Sequence, residues 1–540
     1  MRSLDKFIIL IPAISNDVAF HNELTKKLSG TSLVQRSINI AIAFGGENEN
    51  IYVITNSEEI NLISQRNKVK TYYDESMQEF NLNENINLLD YIKDSSTNAN
   101  FFLFISPYAP LLTSHILNKA KLEFVKSQKD ILRSVRSLFS KKIHNNETEL
   151  RIFNQNHQET LVEINSFKFI KKEVFKKEFQ DTMTFSNFVL SEKFVEINSF
   201  HDWWICEKLL NRNRIILRII GNKIDGMGHI YRGLTLAHEI SDHEVIFVTD
   251  NKQEDAINVI QKSNYRIEIF KTTMIVNGIL DLKPNLLIND ILSTSKQDVL
   301  PFIDQGIRVI NFEDLGEGAA LANLTINELF DYPQIDGANI LWGHSYFLLR
   351  DEFIGAHVNK FNKKVKKILL TFGGTDQNNL VSKTYSALKG ICSEKSIFIK
   401  IVTGPGFTGY EHIKNLIKGN NMVSLTRATG VISSYMEDSQ IAISSNGRTV
   451  YELAHMRIPS IIIAHHEREN THNFSNKSNG FIKLGLYKDE DSFKKLLLDS
   501  FCKLVDDKNY RFSLFQESKK LNFFKSKKNV IDILFSEFHK

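Results

Sequence analysis

Cysteine is nearly missing from this 540-residue chain. Its three thiols, Cys206, Cys392 and Cys502, are far apart, odd in number and without a CxxC pair. That pattern supports neither a disulfide framework nor a zinc ribbon. An excess of one charge is missing too. Sixty-seven Lys and Arg face 63 Asp and Glu, a net +4, so the overall balance gives no reason to expect nucleic acid as a partner. Long apolar runs are absent. The longest near the start, residues 7–13, falls well short of the ~20 residues that cross a bilayer. With Asp5 before it and Ile14-Ser15-Asn16-Asp17 after it, it reads as a poor secretory leader and a good first strand, so a cytoplasmic location without a membrane span is expected. No tandem repeat and no long low-complexity tract occurs. What is present is ordinary globular composition, 42% hydrophobic and 24% charged residues, which rules out wholesale disorder. The length suits about three domains with a large core.

A short apolar run, a polar or Gly-bearing turn and an amphipathic stretch recur along the chain. The runs are 6–12, 51–55 and 100–105, then 215–220, 244–249, 286–289, 308–312, 366–372, 397–402, 440–444 and 459–464. Strands alternating with helices in this way predict an α/β fold with parallel sheets covered on both faces. The stretch 203–210 predicts a terminal helix, and polar Asn211-Arg212-Asn213-Arg214 separates it from a fresh strand. A second seam lies at 346–364, where Lys360, Lys363, Lys364, Lys366 and Lys367 form a basic run, read as a solvated linker face rather than a nucleic-acid site. The predicted units are 1–211, 214–345 and 362–510, with a helical tail over 511–540.

Three predicted strands end in loops suited to a ligand. The first loop runs from Gly221 to His229, with glycines at 226 and 228, and a helix follows from Ile230-Tyr231-Arg232. Glycine admits positive φ and close approach, and a helix start supplies free N–H groups. His229 stands where doubly wound folds meet ligands, with a titration range that suits a general base; a capping or packing histidine fits the same turn. The second loop is Phe372-Gly373-Gly374-Thr375-Asp376. Its N–H groups and the Thr375 hydroxyl suit a phosphate, and a tight turn with Asp376 near a helix N-cap suits it equally. The third is 444–453, turning at Asn446-Gly447 and opening a helix at Thr449. Thr449-x-x-Glu452 fits a capping box. The functional alternative gives the loop N–H groups and Arg448 to a pyrophosphate and Glu452 to a ribose diol. Beyond 459–464 comes His465-His466-Glu467-Arg468-Glu469-Asn470-Thr471-His472. It lacks HExxH spacing and reads as a polar rim of the cleft, not as a metal site.

Two doubly wound halves presenting such loops to one cleft describe a GT-B architecture. From about Arg214 to Leu486 the chain resembles the spore-coat polysaccharide SpsG family and is similar to the pseudaminic-pathway UDP-sugar hydrolases. The matching residues are Arg218 with Gly226-x-Gly228-His229-x-x-Arg232, then Asn311-Phe312-Glu313-Asp314. Next come Gly343-x-x-Tyr346-x-Leu348-Leu349-Arg350-x-x-Phe353, residues 372–376, and 446–452 with Pro459. The resemblance implies that His229 is the catalytic base, helping water displace UDP from the anomeric carbon. It implies nucleotide contacts from Gly226, Gly228, Arg232, Gly373, Gly374, Thr375, Asn446, Gly447, Arg448, Thr449 and Glu452. Sugar contacts would come from Asp314, Tyr346 and His466, with no metal and no cofactor in this half. The chain departs from the family at Ile220, where an acid is usual, and at Asn222, where a hydroxyl residue is usual.

In the N-terminal half, the apolar strand at 6–13, residues 28–34, 53–60, 104–111 and 196–203 follow the order of the acylneuraminate cytidylyltransferase family, over about 5–210. This implies a Rossmann-like nucleotidyltransferase (GT-A-like) domain, CTP and a CMP-sugar as ligands, Mg²⁺ only if the domain is active, and a homodimer formed through it. A nucleotidyltransferase must neutralise a triphosphate, normally with basic residues and carboxylate-held Mg²⁺. Here the first loop, 14–23, has no Lys or Arg and carries Asp17 and Glu23. Ser106 and Leu112 stand where the family has Gln and Arg. Asn198 replaces a metal-binding Asp, with Asp202 remaining. Electrostatic preorganisation is usually the largest contribution to catalysis, so the domain is expected to be degenerate towards CTP.

The expected function is a UDP-sugar hydrolase of nonulosonate or surface-polysaccharide biosynthesis, fused to a cytidylyltransferase-like domain. The alternatives are a GT-B glycosyltransferase using a UDP-sugar donor, a CMP-acylneuraminate synthetase in the N-terminal domain, and a non-catalytic nucleotide-sugar-binding scaffold.

Overall fold

The computed structural model describes residues 7–15, 18–45, 47–80, 99–140, 158–176, 183–191, 194–222, 226–374, 376–404, 406–427 and 431–535. The chain forms two compact units, Met1–Arg212 and Asn213–Lys540.

The first unit is built on the strand Phe7–Pro12, which is apolar and almost wholly buried. Its sheet reads, in space, Lys70–Tyr73, Ile51–Thr55, Phe7–Pro12, Phe101–Ile105, Gln158–Lys171, Ile131–Ser140 and Phe185–Leu190. The first four strands are parallel. Gln158–Lys171 runs antiparallel to both of its neighbours. One face is covered by the helices Leu33–Ala43 and Ser114–Ser127, whose inward residues include Leu33, Val34, Ile38, Leu117 and Phe124. The spacing of these residues is that of a single helix stripe. Ser32 starts the first helix by accepting the Gln35 amide on its hydroxyl, as an N-cap does.

The second unit holds two parallel sheets. The first lobe reads Arg266–Phe270, Glu244–Asp250, Arg214–Ile219, Leu286–Asp290, Arg308–Phe312, Leu324–Asn327 and Ile340–Trp342. The second reads Val423–Arg427, Phe398–Thr403, Lys367–Thr371, Ile441–Ser445, Ser460–Ala464 and Phe481–Leu486. In both, the chain starts in mid-sheet, moves outward through two strands, then crosses back to the other side of its first strand. Connections diverge on either side of that switch point and open a crevice at the strands' C-terminal ends. The Gly226–His229 turn and the Phe372–Gly374 turn follow the first strands of the two sheets. Asp290 and Ser445 end the strands across each switch point. The α/β class with GT-B lobes expected from the sequence is the observed architecture.

Lysines 360, 363, 364 and 366 between the lobes are exposed. The chain's last helices are no loose tail. Lys508–Lys519 buries Arg511, whose guanidinium donates to the carbonyls of Leu504, Asn362 and Lys363. Phe523–Phe535 then packs Val530 and Leu534 into the core of the first lobe. Arg308 donates to the Leu534 carbonyl at 2.8 Å, and Lys527 pairs with Glu239 and Asp351. Among the described residues no helix is long and apolar enough to cross a membrane.

Candidate functional site

A cavity of about 500 Å³ opens between the two lobes of the second unit. Of the sequence-predicted residues, Gly226, Gly228, His229, Arg232, Gly373, Gly374, Gly447, Arg448, Thr449, Glu452 and His466 line it. Thr375 lies outside the described residues. Three others do not line the cavity. Asp314 is buried in first-lobe scaffolding, where its carboxylate accepts from the Thr294 amide and hydroxyl, Asn311 Nδ2 and the Gly316 amide at 2.5–2.9 Å. Tyr346 packs against the first-lobe core. Asn446 lies behind the wall, its amide donating to the carbonyls of Glu469 and His472.

The centre of the first-lobe wall is a buried dyad. His229, at the start of the helix Gly228–Glu239, places Nδ1 2.6 Å from Asp290 Oδ1. Burial alone would raise the Asp290 carboxyl; the charges of Arg232 and His229 outweigh it and hold it well below the ordinary range. An ionised carboxylate only accepts, so Nδ1 of His229 is the donor of this pair, and Nε2 is the ring nitrogen that Asp290 does not engage. Arg232 grips both oxygens of Asp290, at 2.7 and 2.5 Å, and reaches Glu328 at 2.7 Å. Arg448, from the second lobe, also pairs with Glu328. It donates to the Leu348 carbonyl at 2.8 Å and lies 4.6 Å from the Phe347 ring centroid. Burial, with Arg232 nearby, lowers its guanidinium to about 9. Both arginines expected to contact the nucleotide are therefore already matched to first-lobe acids, and Arg448 joins the lobes electrostatically.

The capping box read from the sequence is not formed. Thr449 is itself the first helical residue and no side chain caps Thr449–His455. Glu452 instead accepts from Arg350 Nε at 2.7 Å on the cavity wall. Arg350 also pairs with Glu352 at 2.7 Å and lies over the Tyr231 ring. The other structural alternative does occur: Asp376 caps Leu380–Glu394, accepting from the amides of Leu380 and Val381 at 2.8 and 3.0 Å.

On the second-lobe side, glycine lets two loops touch. A Cβ on Gly404 would stand 2.4 Å from Gly374 Cα and O, and one on Gly374 would meet Met227 at 2.9 Å. Around them sits a group of buried titratable residues. Burial pushes the Glu469 carboxyl up to about 7 and that of Asp376 up to about 6. It lowers His465 and His472 to about 4. Glu469 accepts the His465 amide at 2.8 Å, and His472 Nδ1 lies 2.8 Å from the Asn446 carbonyl oxygen.

Asp290, Glu313, Glu469 and Arg468 are cavity or near-cavity groups that the sequence reading did not select as site residues. Glu313 stands in the matching stretch 311–314 and Arg468 and Glu469 in the polar rim 465–472, while the signal for Asp290 is an acid closing an apolar strand.

In the first unit, Glu23 lies within the fold. It is buried, accepting from the Tyr108 hydroxyl at 2.7 Å and the Val18 amide at 3.1 Å. Asp17 lies outside the described residues. Asp202 accepts from the Ser199 hydroxyl at 2.8 Å and the Asn198 amide at 3.0 Å, fastening the start of Phe200–Leu210. Among the described residues no group of three or more His, Cys, Asp or Glu could hold a metal ion.

The strand orders and the cleft define a two-lobed GT-B unit that follows, along the chain, a Rossmann-like domain with a mixed sheet. No family model matches the chain. Among curated proteins it is 27% identical over 262 residues to an uncharacterized protein of Methanocaldococcus jannaschii, covering 45% of this chain and 54% of that one. It is 22% identical over 258 residues to the spore coat polysaccharide biosynthesis protein SpsG of Bacillus subtilis, covering 45% and 75%. The chain thus spans about half the length of the first relative. Among solved structures, MurG of Acinetobacter baumannii aligns with a TM-score of 0.43 at 13% identity, over 59% of this chain and 98% of that one. A CMP-2-keto-3-deoxy-manno-octonic acid synthetase complexed with CTP aligns with a TM-score of 0.30 at 10% identity, over 38% and 98%.

Proposed function

We propose that the Asn213–Lys540 unit binds a UDP-sugar in the interlobe cavity and hydrolyses it. The observation that carries this reading is the 2.6 Å contact of His229 with buried Asp290 on the wall of a 500 Å³ cleft. Asp290 fixes the ring and stabilises the imidazolium. Nε2 of His229 takes a proton from water as the water oxygen forms a bond to the anomeric carbon. The bond from that carbon to the phosphate oxygen breaks, and UDP leaves with the electron pair. Backbone N–H groups at the second-lobe turns around Gly373 and Gly447 receive the diphosphate, and Glu452, steadied by Arg350, receives the ribose diol. The likeness to SpsG supports placing the reaction in surface-polysaccharide or nonulosonate biosynthesis. The first unit serves as a holding or partner-binding module without CTP turnover, a reading supported by the structural use of Glu23 and Asp202.

The test is a UDP-release screen over UDP-amino-sugars in water alone. The reading expects release by the wild type, and loss of release with retained UDP binding in His229→Ala. Release only on addition of a sugar acceptor makes the unit a glycosyltransferase. Binding without turnover under every condition makes it a scaffold. Pyrophosphate formed from CTP and an acid sugar would refute the inactive assignment of the first unit.

A further inference from the structure

We infer that Glu313, not its neighbour Asp314, is the first-lobe acid that meets the sugar in this cavity, and that it selects sugars presenting a hydroxyl or acylamino group to it. The inference rests on the nucleotide-sugar reading above.

Glu313 follows the strand Arg308–Phe312 and lines the cavity. Its φ of +54° lies in the left-handed region, which a long side chain rarely adopts and which concentrates at functional sites. This turn sends the two adjacent acids to different tasks. Asp314 is saturated by scaffold donors, as described above. Glu313 is not: Oε1 accepts the Leu329 amide at 3.1 Å and stands 3.8 Å from Arg232 NH1, while Oε2 is buried with no hydrogen-bond partner. The other acids around Arg232 differ. Asp290 has both oxygens held by His229 and Arg232. Glu328 has one held by Arg232 and the other by the Leu348 amide. Arg468 donates to the Glu313 carbonyl oxygen at 2.7 Å, pinning the strained turn from the second lobe.

A buried oxygen left unmatched is costly. A ligand that supplies its partner removes the cost, and one that cannot is rejected. Burial raises the Glu313 carboxyl, against the opposing charge of Arg232. The carboxyl oxygen can accept from a sugar hydroxyl or from an acylamino N–H, so both groups fit. Sites built to hydrogen-bond a substrate group discriminate strongly against analogues lacking it.

The experiment uses the full chain and isothermal titration with UDP and with four probes: UDP-glucose, UDP-galactose, UDP-N-acetylglucosamine and UDP-N-acetylgalactosamine. For the tightest-binding sugar, Glu313→Ala should raise Kd at least tenfold while leaving the Kd for UDP within twofold. Glu313→Gln, nearly the same shape and still able to donate and accept, should lose less than the alanine variant. Thermal melting confirms that both variants are folded; if the alanine variant is not, the glutamine variant must show a sugar-specific loss of at least threefold. Equal losses for UDP and UDP-sugar, or no loss, overturn the inference and leave the nucleotide site standing. Wild-type protein that binds UDP but gains nothing from any of the four sugars also overturns it. Failure to bind UDP at all brings down the functional reading and this inference together.

Discussion

Asp290 serves two partners at once. It orients His229 and neutralises Arg232, both buried. Asp290→Asn removes a charge from a closed network, so it should act on chemistry and stability together. UDP release should fall ~100-fold or more, because the imidazole loses the acceptor that fixes its tautomer. The unit should lose about 3–5 kcal/mol, the cost of breaking a buried pair. Steady-state kinetics and urea unfolding check the two effects; a loss below about 1 kcal/mol with normal turnover would refute the dyad. His229 could be read from the sequence because a glycine-flanked histidine after an apolar strand is a local pattern. Asp290 could not, because 61 residues separate it from its partner and the contact exists only once two non-consecutive strands pair. Glu313 was hidden for a subtler reason: alternation alone does not say which of two adjacent acids faces a cavity, and an unforeseen positive φ decided it.

At the scale of elements, the segment after Ser460–Ala464 has an electrostatic character that composition did not disclose. Glu469 and Asp376, raised from 4.5 to about 7 and from 3.8 to about 6, bind protons on folding. Their stabilisation is complete below the unfolded values and is lost as pH rises through the folded ones. His465 and His472, lowered from 6.5 to about 4, release protons on folding, and theirs is lost as pH falls from 6.5 through 4. Between pH 4.5 and 6 two slopes oppose two, and the group is nearly silent. Glu469→Gln removes one negative slope. Relative to wild type, its stability should therefore rise by about 2–3 kcal/mol between pH 5 and pH 7, measured by urea unfolding of the second unit. A wild-type-to-variant difference that is constant across this range would sink the assignment. The strands themselves were unequally legible. Ile51–Thr55 and Ile441–Ser445 are buried along their whole length and announce themselves as apolar runs. Phe185–Leu190 and Val423–Arg427 are edge strands with exposed or half-buried residues, so their pattern is diluted with polar residues. The capping box failed because Glu452 found a stronger partner in Arg350, on a different element.

At the scale of the whole molecule, two units with separate cores should not unfold as one. Differential scanning calorimetry of the intact chain should resolve two transitions. UDP at 100 times its Kd should stabilise only the second unit, by about 2.7 kcal/mol, and a ligand shift common to both transitions would contradict independent units. Within the second unit the polypeptide passes between lobes twice: once ahead of Lys367–Thr371, and again between Lys508–Lys519 and Phe523–Phe535. Two tethers resist swivelling of one lobe against the other and leave bending about the line that joins them as the only movement the connections themselves permit. A protease nick in the exposed connector near Lys360 would therefore not set the halves free; they would stay clasped by the returning C-terminal helix until denaturant pried it off.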